Sequence, residues 1–418
     1  MAKHPANNNK IKPEIKINDS FAQYIKRELK PVIKKLPLNF EKTEPLAYID
    51  YKDEIAIKNR ALAKFLADSK ITVKPESIIP SPLSRKYRTT SKRKVTEKKG
   101  QFYFLFADED YPTRPDLFRP SMLEPDQHKT IYEYLCGMFN SAGYIFLARA
   151  MNFIIIRGSY SEFSVIFNIS KINADIIKKL KLVSEKLQSL NLNIISSFAY
   201  YDPTKSEYYF EAERPDKEVS FKKFFGPDYL FLKVNDKKFS YHPTSFSQIN
   251  ESIIPLLIKR AEDILKPDKS ESFYDLYCGY GLFACSFAGL YKETTGIEAA
   301  GESVKSASLN AKYIAKESRI RFTAKRIPAP SLEESLPSQI KGKEVFLLDP
   351  PRSGTANGVI DVIAARNPVK AVHIFCGVDE IPQGVEEWKN NGYELKLLAP
   401  LDLFPGSPNL EVIALFTR

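Results

Sequence analysis

The sequence predicts an α/β protein with two parts. One is a doubly wound, Rossmann-like sheet closed by a C-terminal antiparallel hairpin; the other is a central domain of mixed α/β structure. Three observations carry this. Beyond residue 240, short apolar runs alternate regularly with helical patterns, as parallel strands joined by crossover helices do. Two of those runs end in turn motifs, DLYCGYG at 275–281 and LLDPPR at 347–352, and the crevice beyond strand ends is where open α/β sheets bind ligands. At 418 residues, 43% apolar and 27% charged, the chain is long enough for two or three cores of ordinary globular composition. The predicted divisions are a basic N-terminal extension over 1–44, a helical and basic segment over 45–100, the central domain over 101–240 and the sheet domain over 241–418.

Taken in order, residues 1–40 are rich in Lys and Asn, with one helical pattern over 21–36 that ends near Pro37. Ile55, Ile57, Ala61, Leu62, Phe65 and Leu66 recur at helical spacing, predicting a helix that ends near Ser69. In the central region FYFLF, YIFLARA, NFIIIRG and FSVIFNI predict strands, and 174–190 an amphipathic helix. YLFLKV and KFSYH add two more strands. The sheet domain then reads as a helix over 252–265 with Pro255 in its first turn, and strands over 272–278, 293–298, 320–324, 345–349 and 372–376 separated by helices over 281–290, 302–317 and 358–366. Strands over 393–398 and 411–417 form the closing hairpin.

The net charge of +11 and a pI near 9.1 suggest a polyanionic partner. The charge clusters in SPLSRKYRTTSKRKVTEKKG, residues 81–100, which hold eight Lys/Arg against one Glu. Arg85, Lys86, Arg88, Lys92 and Arg93, interleaved with Tyr87 and hydroxyls, make a basic strand pair suited to nucleic-acid phosphates. The four cysteines (Cys136, Cys278, Cys285, Cys376) include no CxxC pair, which argues against a disulfide framework or a zinc ribbon; free thiols fit a reducing cytoplasm, and no metal is expected. The polar N-terminus has no apolar stretch of the signal-peptide kind. The longest apolar window, 142–156, is interrupted by Arg149 and too short to span a bilayer. A cytoplasmic monomer without membrane association is the expectation.

Two glycines follow the strand in DLYCGYG, and Glu298 ends the next strand 17 residues after Gly281. Glycine lets the backbone turn tightly against a ligand, and an acidic group there can accept both ribose hydroxyls of a nucleoside. GYG, rather than GxGxxG, suits S-adenosylmethionine, which has no pyrophosphate to cradle. The Asp349-Pro350-Pro351 turn is rigid and lacks two donors. Arg352 takes the place of the aromatic that enzymes methylating an adenine amino group use to stack their base. Phe246 offers a stacking face in SFSQIN, and Glu411 opens an otherwise apolar strand. Cys376, a thiol at a strand end, lies 27 residues after Asp349 and 35 before Glu411.

In their order, SFSQIN, DLYCGYG, GIE, DPPRSG, HIFCG and FPGSPNLE resemble the motifs of the S-adenosylmethionine-dependent RNA uracil-5 methyltransferases, which make 5-methyluridine. The upstream IIPSPLSRKYR is similar to another of that family's segments, and the likeness spans about 45–418. The resemblance implies Cys376 as the nucleophile that adds to uracil C6 and Glu411 as the base that removes the C5 proton. It implies Gln248, Tyr277, Gly279, Glu298 and Asp349 at the methyl donor and Phe246 at the flipped base. Its RNA partner would be ribosomal, 23S RNA being favoured, with transfer RNA open. The chain departs from the pattern at Gly377-Val378 and Asp379-Glu380, at Leu282 and at Lys325-Arg326. It has no cysteines over 45–66, where some members ligate an iron–sulfur cluster, so no cluster is expected. Two other readings are an RNA N-methyltransferase without a covalent step and a catalytically weak RNA-binding protein.

Overall fold

In the computed structural model, residues 19–33, 44–109, 116–205, 220–299 and 301–418 are described; most of the expected 1–44 extension lies outside them. Helices α1 (Phe21–Ile33) and α2 (Tyr51–Asp68) open the described chain. The central part contains β1 (Ser91–Lys98), β2 (Gln101–Leu105), α3 (Asp126–Phe139), α4 (Ile145–Ala148), β3 (Met151–Gly158), β4 (Phe163–Ile169), α5 (Ala174–Gln188), β5 (Ile194–Tyr201) and β6 (Ser220–Phe225). Among the described residues its strands form one sheet in the order β2-β1-β3-β4-β5-β6. Only the β4–β5 pair is parallel, joined across α5. Helices α3 and α5 cover one face, burying Ile131, Leu135, Leu180 and Val183 against Ile154, Ile156 and Val165.

The hairpin β7 (Leu230–Val234) and β8 (Lys237–Tyr241) leads into the second unit. This comprises α6 (Ile254–Leu265), β9 (Ser272–Leu276), α7 (Leu282–Phe287), β10 (Glu293–Glu298), α8 (Gly301–Ile314), β11 (Ile320–Ala324), α9 (Ala329–Ser335), β12 (Glu344–Leu348), α10 (Val359–Ala365), β13 (Lys370–Phe375), α11 (Ile381–Asn390), β14 (Glu394–Leu401) and β15 (Glu411–Thr417). The strand order is β11-β10-β9-β12-β13-β15-β14. All pairs are parallel up to β13; β15 then enters antiparallel between β13 and β14. This is the doubly wound sheet with a terminal hairpin that the sequence predicts.

Both faces of the sheet are buried, and β12 is apolar from Val345 to Leu348. Successive side chains of β12 alternate: Val345 and Leu347 pack with α6 and α7, while Phe346 and Leu348 pack toward α10 and α11. The second face is extended by α1 and α2, whose Phe21, Tyr24, Leu62 and Phe65 join Trp388 and Phe375 in one core. Full burial of such a side chain contributes about 2–3 kcal/mol. The segment 45–100 is therefore divided: its helix packs with the C-terminal sheet, and its basic strand belongs to the central sheet.

One predicted strand is corrected. YIFLARA forms a 3-10 turn and then the short helix α4, because its apolar residues do not alternate between faces. Leu147 and Ala148 are adjacent and buried, while Phe146 is 45% exposed.

Candidate active site

Three side chains meet at the ends of adjoining strands. Asp349 follows β12, Cys376 follows β13, and Glu411 begins β15. Their ligand-type atoms all lie within 4.8 Å of one another. The Cys376 thiol donates to Asp349 Oδ1 at 3.4 Å and to the Pro350 carbonyl at 3.2 Å. The last β13–β15 register pair is Phe375 with Val412; one step further along the ladder brings Cys376 opposite Glu411. The DPP turn works differently. Asp349 N–H still donates to the Leu276 carbonyl at 3.3 Å, and the two prolines then end the pairing and leave the Pro350 carbonyl for the thiol.

The electrostatics of the three are dominated by burial without a full complement of cations. Burial raises Asp349 to about 7, opposed by the hydrogen bond from Cys376. Burial, with Asp349 as a like-charged neighbour, holds Glu411 well above the ordinary carboxyl range, and the Arg352 guanidinium opposes this. Arg352 itself lies over the Phe404 ring, 5.6 Å from its centre. The Cys376 thiol is pushed up by burial and then by both carboxylates. Glu411 Oε1 is buried without a hydrogen-bond partner. A thiol and two carboxyls crowded this way hold protons more tightly than isolated groups do, so each has its basicity raised. Chemically the set suits a nucleophile that hands its proton to one carboxyl while a second carboxyl waits as a base.

Beside them lies a cradle with the features of a nucleoside site. Tyr277, Gly279 and Gly281 take left-handed backbone conformations (φ +62°, +53° and +83°). A Cβ on Gly279 would meet nothing within 4 Å, so this turn opens onto free space. Glu298, ending β10, accepts the Gly279 N–H at 3.0 Å. Asp275 is fully buried; one of its oxygens accepts the Ala284 N–H at 2.8 Å and the other has no partner. Burial also raises the Tyr277 phenol to about 12. Open backbone, an acidic strand end and buried polar atoms fit the ribose and amino-acid ends of S-adenosylmethionine.

The SFSQIN loop is clamped from three sides. Arg157, buried on β3, donates to Ser247 Oγ at 2.8 Å and to the Pro243 carbonyl. Thr89 N–H donates to the Ile249 carbonyl at 2.9 Å. Asn250 Nδ2 donates to Ser81 Oγ at 3.0 Å and to the Leu403 carbonyl at 3.1 Å. Gln248 is buried and Phe246 stands 49% exposed.

The basic segment needs correction. Arg93 is 1% exposed, and its guanidinium grips both oxygens of Glu124 at 2.9 and 2.7 Å. Arg85 donates to Glu54 and to the carbonyls of Leu46, Ala47 and Ile49. Both arginines hold the fold together and do not present charge to a partner. Lys86 and Arg88 are exposed; Lys86 pairs with Asp126, and the Arg88 Nε–H donates to the Thr90 carbonyl at 3.1 Å. Lys92 lies over the Phe153 ring at 4.6 Å. Sequence reasoning missed Glu54, Lys58 and Asp402, which form a buried cluster beside the site. A signal existed: Glu54 and Lys58 occupy the stripe of Ala61, Leu62 and Phe65, where charge is out of place.

Residues 216–418 match the sequence model of a family described as tRNA (Uracil-5-)-methyltransferase. The chain is 31% identical over 191 residues to the 23S rRNA (uracil(1939)-C(5))-methyltransferase of Vibrio parahaemolyticus, a match covering 45% of this chain and 42% of that protein. It is also 31% identical over 195 residues to an uncharacterized RNA methyltransferase of Nanoarchaeum equitans, covering 47% and 41%. The chain is thus matched to less than half the length of these curated relatives. In structure it is similar to the Pyrococcus abyssi tRNA (uracil-54, C5)-methyltransferase in complex with S-adenosyl-L-homocysteine. The TM-score is 0.64 and the identity 16%, over 91% of this chain and 86% of that one, which is a likeness of fold.

Proposed function

We propose, from the match of residues 216–418 to the tRNA (Uracil-5-)-methyltransferase family model, that this chain is a member of that family and methylates C5 of a uridine in RNA through a covalent Cys376–C6 adduct. The observation that carries this reading is the meeting of Cys376, Asp349 and Glu411 within 4.8 Å at adjoining strand ends.

Uracil C5 is a poor nucleophile until something adds at C6. Asp349, in hydrogen-bond contact with the thiol and titrating near neutrality, takes the proton from Cys376. The sulfur forms a bond to C6, and the C5=C6 π pair moves into the ring as an enolate with charge at O4 and C5. Bound S-adenosylmethionine supplies the methyl group to C5, its sulfur keeping the electron pair of the broken S–CH3 bond. Glu411 then takes the C5 proton. The C5–H pair re-forms C5=C6, and the C6–S pair returns to Cys376. Burial keeps Glu411 basic, and Arg352 keeps its ionised form within reach.

Gln248, Tyr277, Gly279, Glu298 and Asp349 line the donor site in this reading, and the exposed Phe246 ring stacks on the extruded uridine. Extrusion costs a few kcal/mol, less in a loop. Residues 101–240 form the RNA-binding domain, with Lys86, Arg88 and Lys92 contributing phosphate contacts. The favoured substrate is 23S ribosomal RNA, on the strength of what the curated Vibrio relative acts on; transfer RNA is the alternative. The protein acts as a cytoplasmic monomer.

Mass spectrometry of ribosomal and transfer RNA from a deletion strain tests the reading. Loss of a single 5-methyluridine restored by the wild-type chain but not by Cys376→Ala is expected. Full methylation by Cys376→Ala, or no lost modification in either RNA, overturns it.

A further inference from the structure

The mechanism uses none of the charged side chains buried between α2 and the turn that precedes Glu411. Glu54, Lys58 and Asp402 are all completely buried. Lys58 Nζ lies 2.9 Å from Glu54 Oε1 and 2.7 Å from Asp402 Oδ1, and donates to the Phe404 carbonyl at 3.2 Å. Glu54 Oε1 accepts the Gly406 N–H at 2.5 Å, and its other oxygen accepts from Arg85 at 3.1 Å. Tyr51 donates to Asp402 Oδ2 at 3.2 Å and accepts the Ser81 N–H at 2.7 Å. Tyr87 donates to the Pro405 carbonyl at 2.9 Å, and Leu46 N–H to the Gly406 carbonyl at 3.0 Å. Four of the five residues over 402–406 are therefore gripped by α2 or its flanking segments.

Stability alone does not call for such a cluster, since apolar residues of similar volume generally serve a core as well as a buried ion triad or better. What ions and hydrogen bonds add is direction. The 402–410 connection is irregular, and its buried N–H and C=O groups need partners at fixed positions. One residue of that turn, Phe404, carries the Arg352 guanidinium on its ring, and Arg352 is the cation that acts on Glu411. The turn runs directly into Leu410 and Glu411, and Asn250 of the SFSQIN loop also binds it, at the Leu403 carbonyl.

We propose that the Glu54–Lys58–Asp402 cluster positions the general base: it fixes the turn so that Phe404, and Arg352 upon it, hold Glu411 at the place where the C5 proton is removed. This rests on the reading of Cys376 as nucleophile and Glu411 as base. These three are positioning residues, acting through the turn without touching the reacting atoms. Their loss slows the last step, elimination, more than the first step, thiol addition.

The test follows both steps on one RNA substrate whose target uridine carries tritium at C5. Release of tritium to water reports elimination, and a denaturing gel reports the covalent enzyme–RNA adduct. Glu411→Gln is the reference for a base that cannot act and traps the adduct. Lys58→Met, compared at equal folded fraction by circular dichroism, is expected to release tritium roughly ten- to hundredfold more slowly while its adduct fraction rises toward that of Glu411→Gln. Should Lys58→Met fail to fold, Tyr51→Phe removes one hydroxyl from the same cluster and is expected to shift both readouts the same way by a smaller factor. Turnover and adduct falling together, or both staying at the wild-type level in a folded variant, overturns the positioning role alone. A Glu411→Gln protein that traps no adduct overturns the functional reading, and the positioning role with it.

Discussion

Two groups of carboxyls, one fully buried and one partly so, meet the turn at 402–410, and they are treated in opposite ways. Under α2, Glu54 and Asp402 have Lys58 between them and Arg85 at the edge. Burial raises Asp402, and Lys58 pulls it back. At the strand ends, Asp349 and Glu411 are crowded against each other and a thiol, with Arg352 opposing on one side only. The first group converts charge into fixed geometry. The second stores uncompensated basicity where protons have to move, and it does so at the expense of stability.

The contrast predicts how each group breaks. Cys376→Ala removes the nucleophile and is expected to cut turnover by about 10⁴-fold or more and to abolish the adduct, with folding unaffected in a urea titration. Glu411→Gln lowers turnover by roughly 10²- to 10⁴-fold but leaves thiol addition, so adduct accumulates on the gel. In the paired group the damage falls on stability as well as on elimination. Lys58→Met strands two buried carboxyls and is expected to cost about 3–5 kcal/mol in urea unfolding. Replacing Glu54 and Asp402 by Leu in the same protein should recover part of this, leaving the Gly406 N–H and Phe404 carbonyl unsatisfied at about 1–3 kcal/mol each.

Asp349→Asn sharpens the comparison through pH. The folded-state value of Asp349 is raised from 3.8 to about 7, so the folded protein binds more protons than the unfolded chain between those limits, and stability falls as pH rises through that window. The variant lacks this cost. Its melting temperature should exceed that of the wild type above pH 7 by a few degrees, and the gap should close toward pH 4. In the wild type, kcat/KM should rise with pH through about 7 as Asp349 becomes able to take the thiol proton, and the variant should lose that limb. The smallest effect is expected at the surface. Lys86→Ala is predicted to reduce the salt dependence of RNA binding by about one phosphate contact, measured by titrating salt, with S-adenosylmethionine binding unchanged.

The sequence made the second group legible and left the first hidden, for physical reasons. Cys376, Asp349 and Glu411 each end or open an apolar run, and strand ends of a doubly wound sheet converge on one crevice; the ordered motifs of the resembling family, more than local pattern, pointed to their meeting. The expected bounds of β10, β11 and β15 coincide with those observed. Arg85 and Arg93 misled because charge density alone does not distinguish a surface from a core. Each finds its carboxylate 31 residues away, a separation no local pattern encodes. Helix α11 went unread because Pro382 and Gly384 weaken its helical pattern. It is held by Ile381 and Trp388 in the core, and a Cβ at Gly384 would come within 2.5 Å of the Phe375 ring.

The insertion of β15 beside β13 makes the spacing of the chemistry a matter of sheet register. Cys376 and Glu411 face one another because Ala371 through Phe375 pair with Phe416 through Val412, residue for residue. Side chains on a strand alternate between faces, so a slip of one residue turns every one of them over. A single-residue deletion inside β15 would therefore send the carboxylate to the opposite side of the sheet from the thiol while keeping most of the backbone ladder. Insertions in surface loops leave that ladder untouched. The tolerance of this protein to changes in chain length is thus set strand by strand, and it is narrowest in β13 and β15, whose register places Cys376 opposite Glu411.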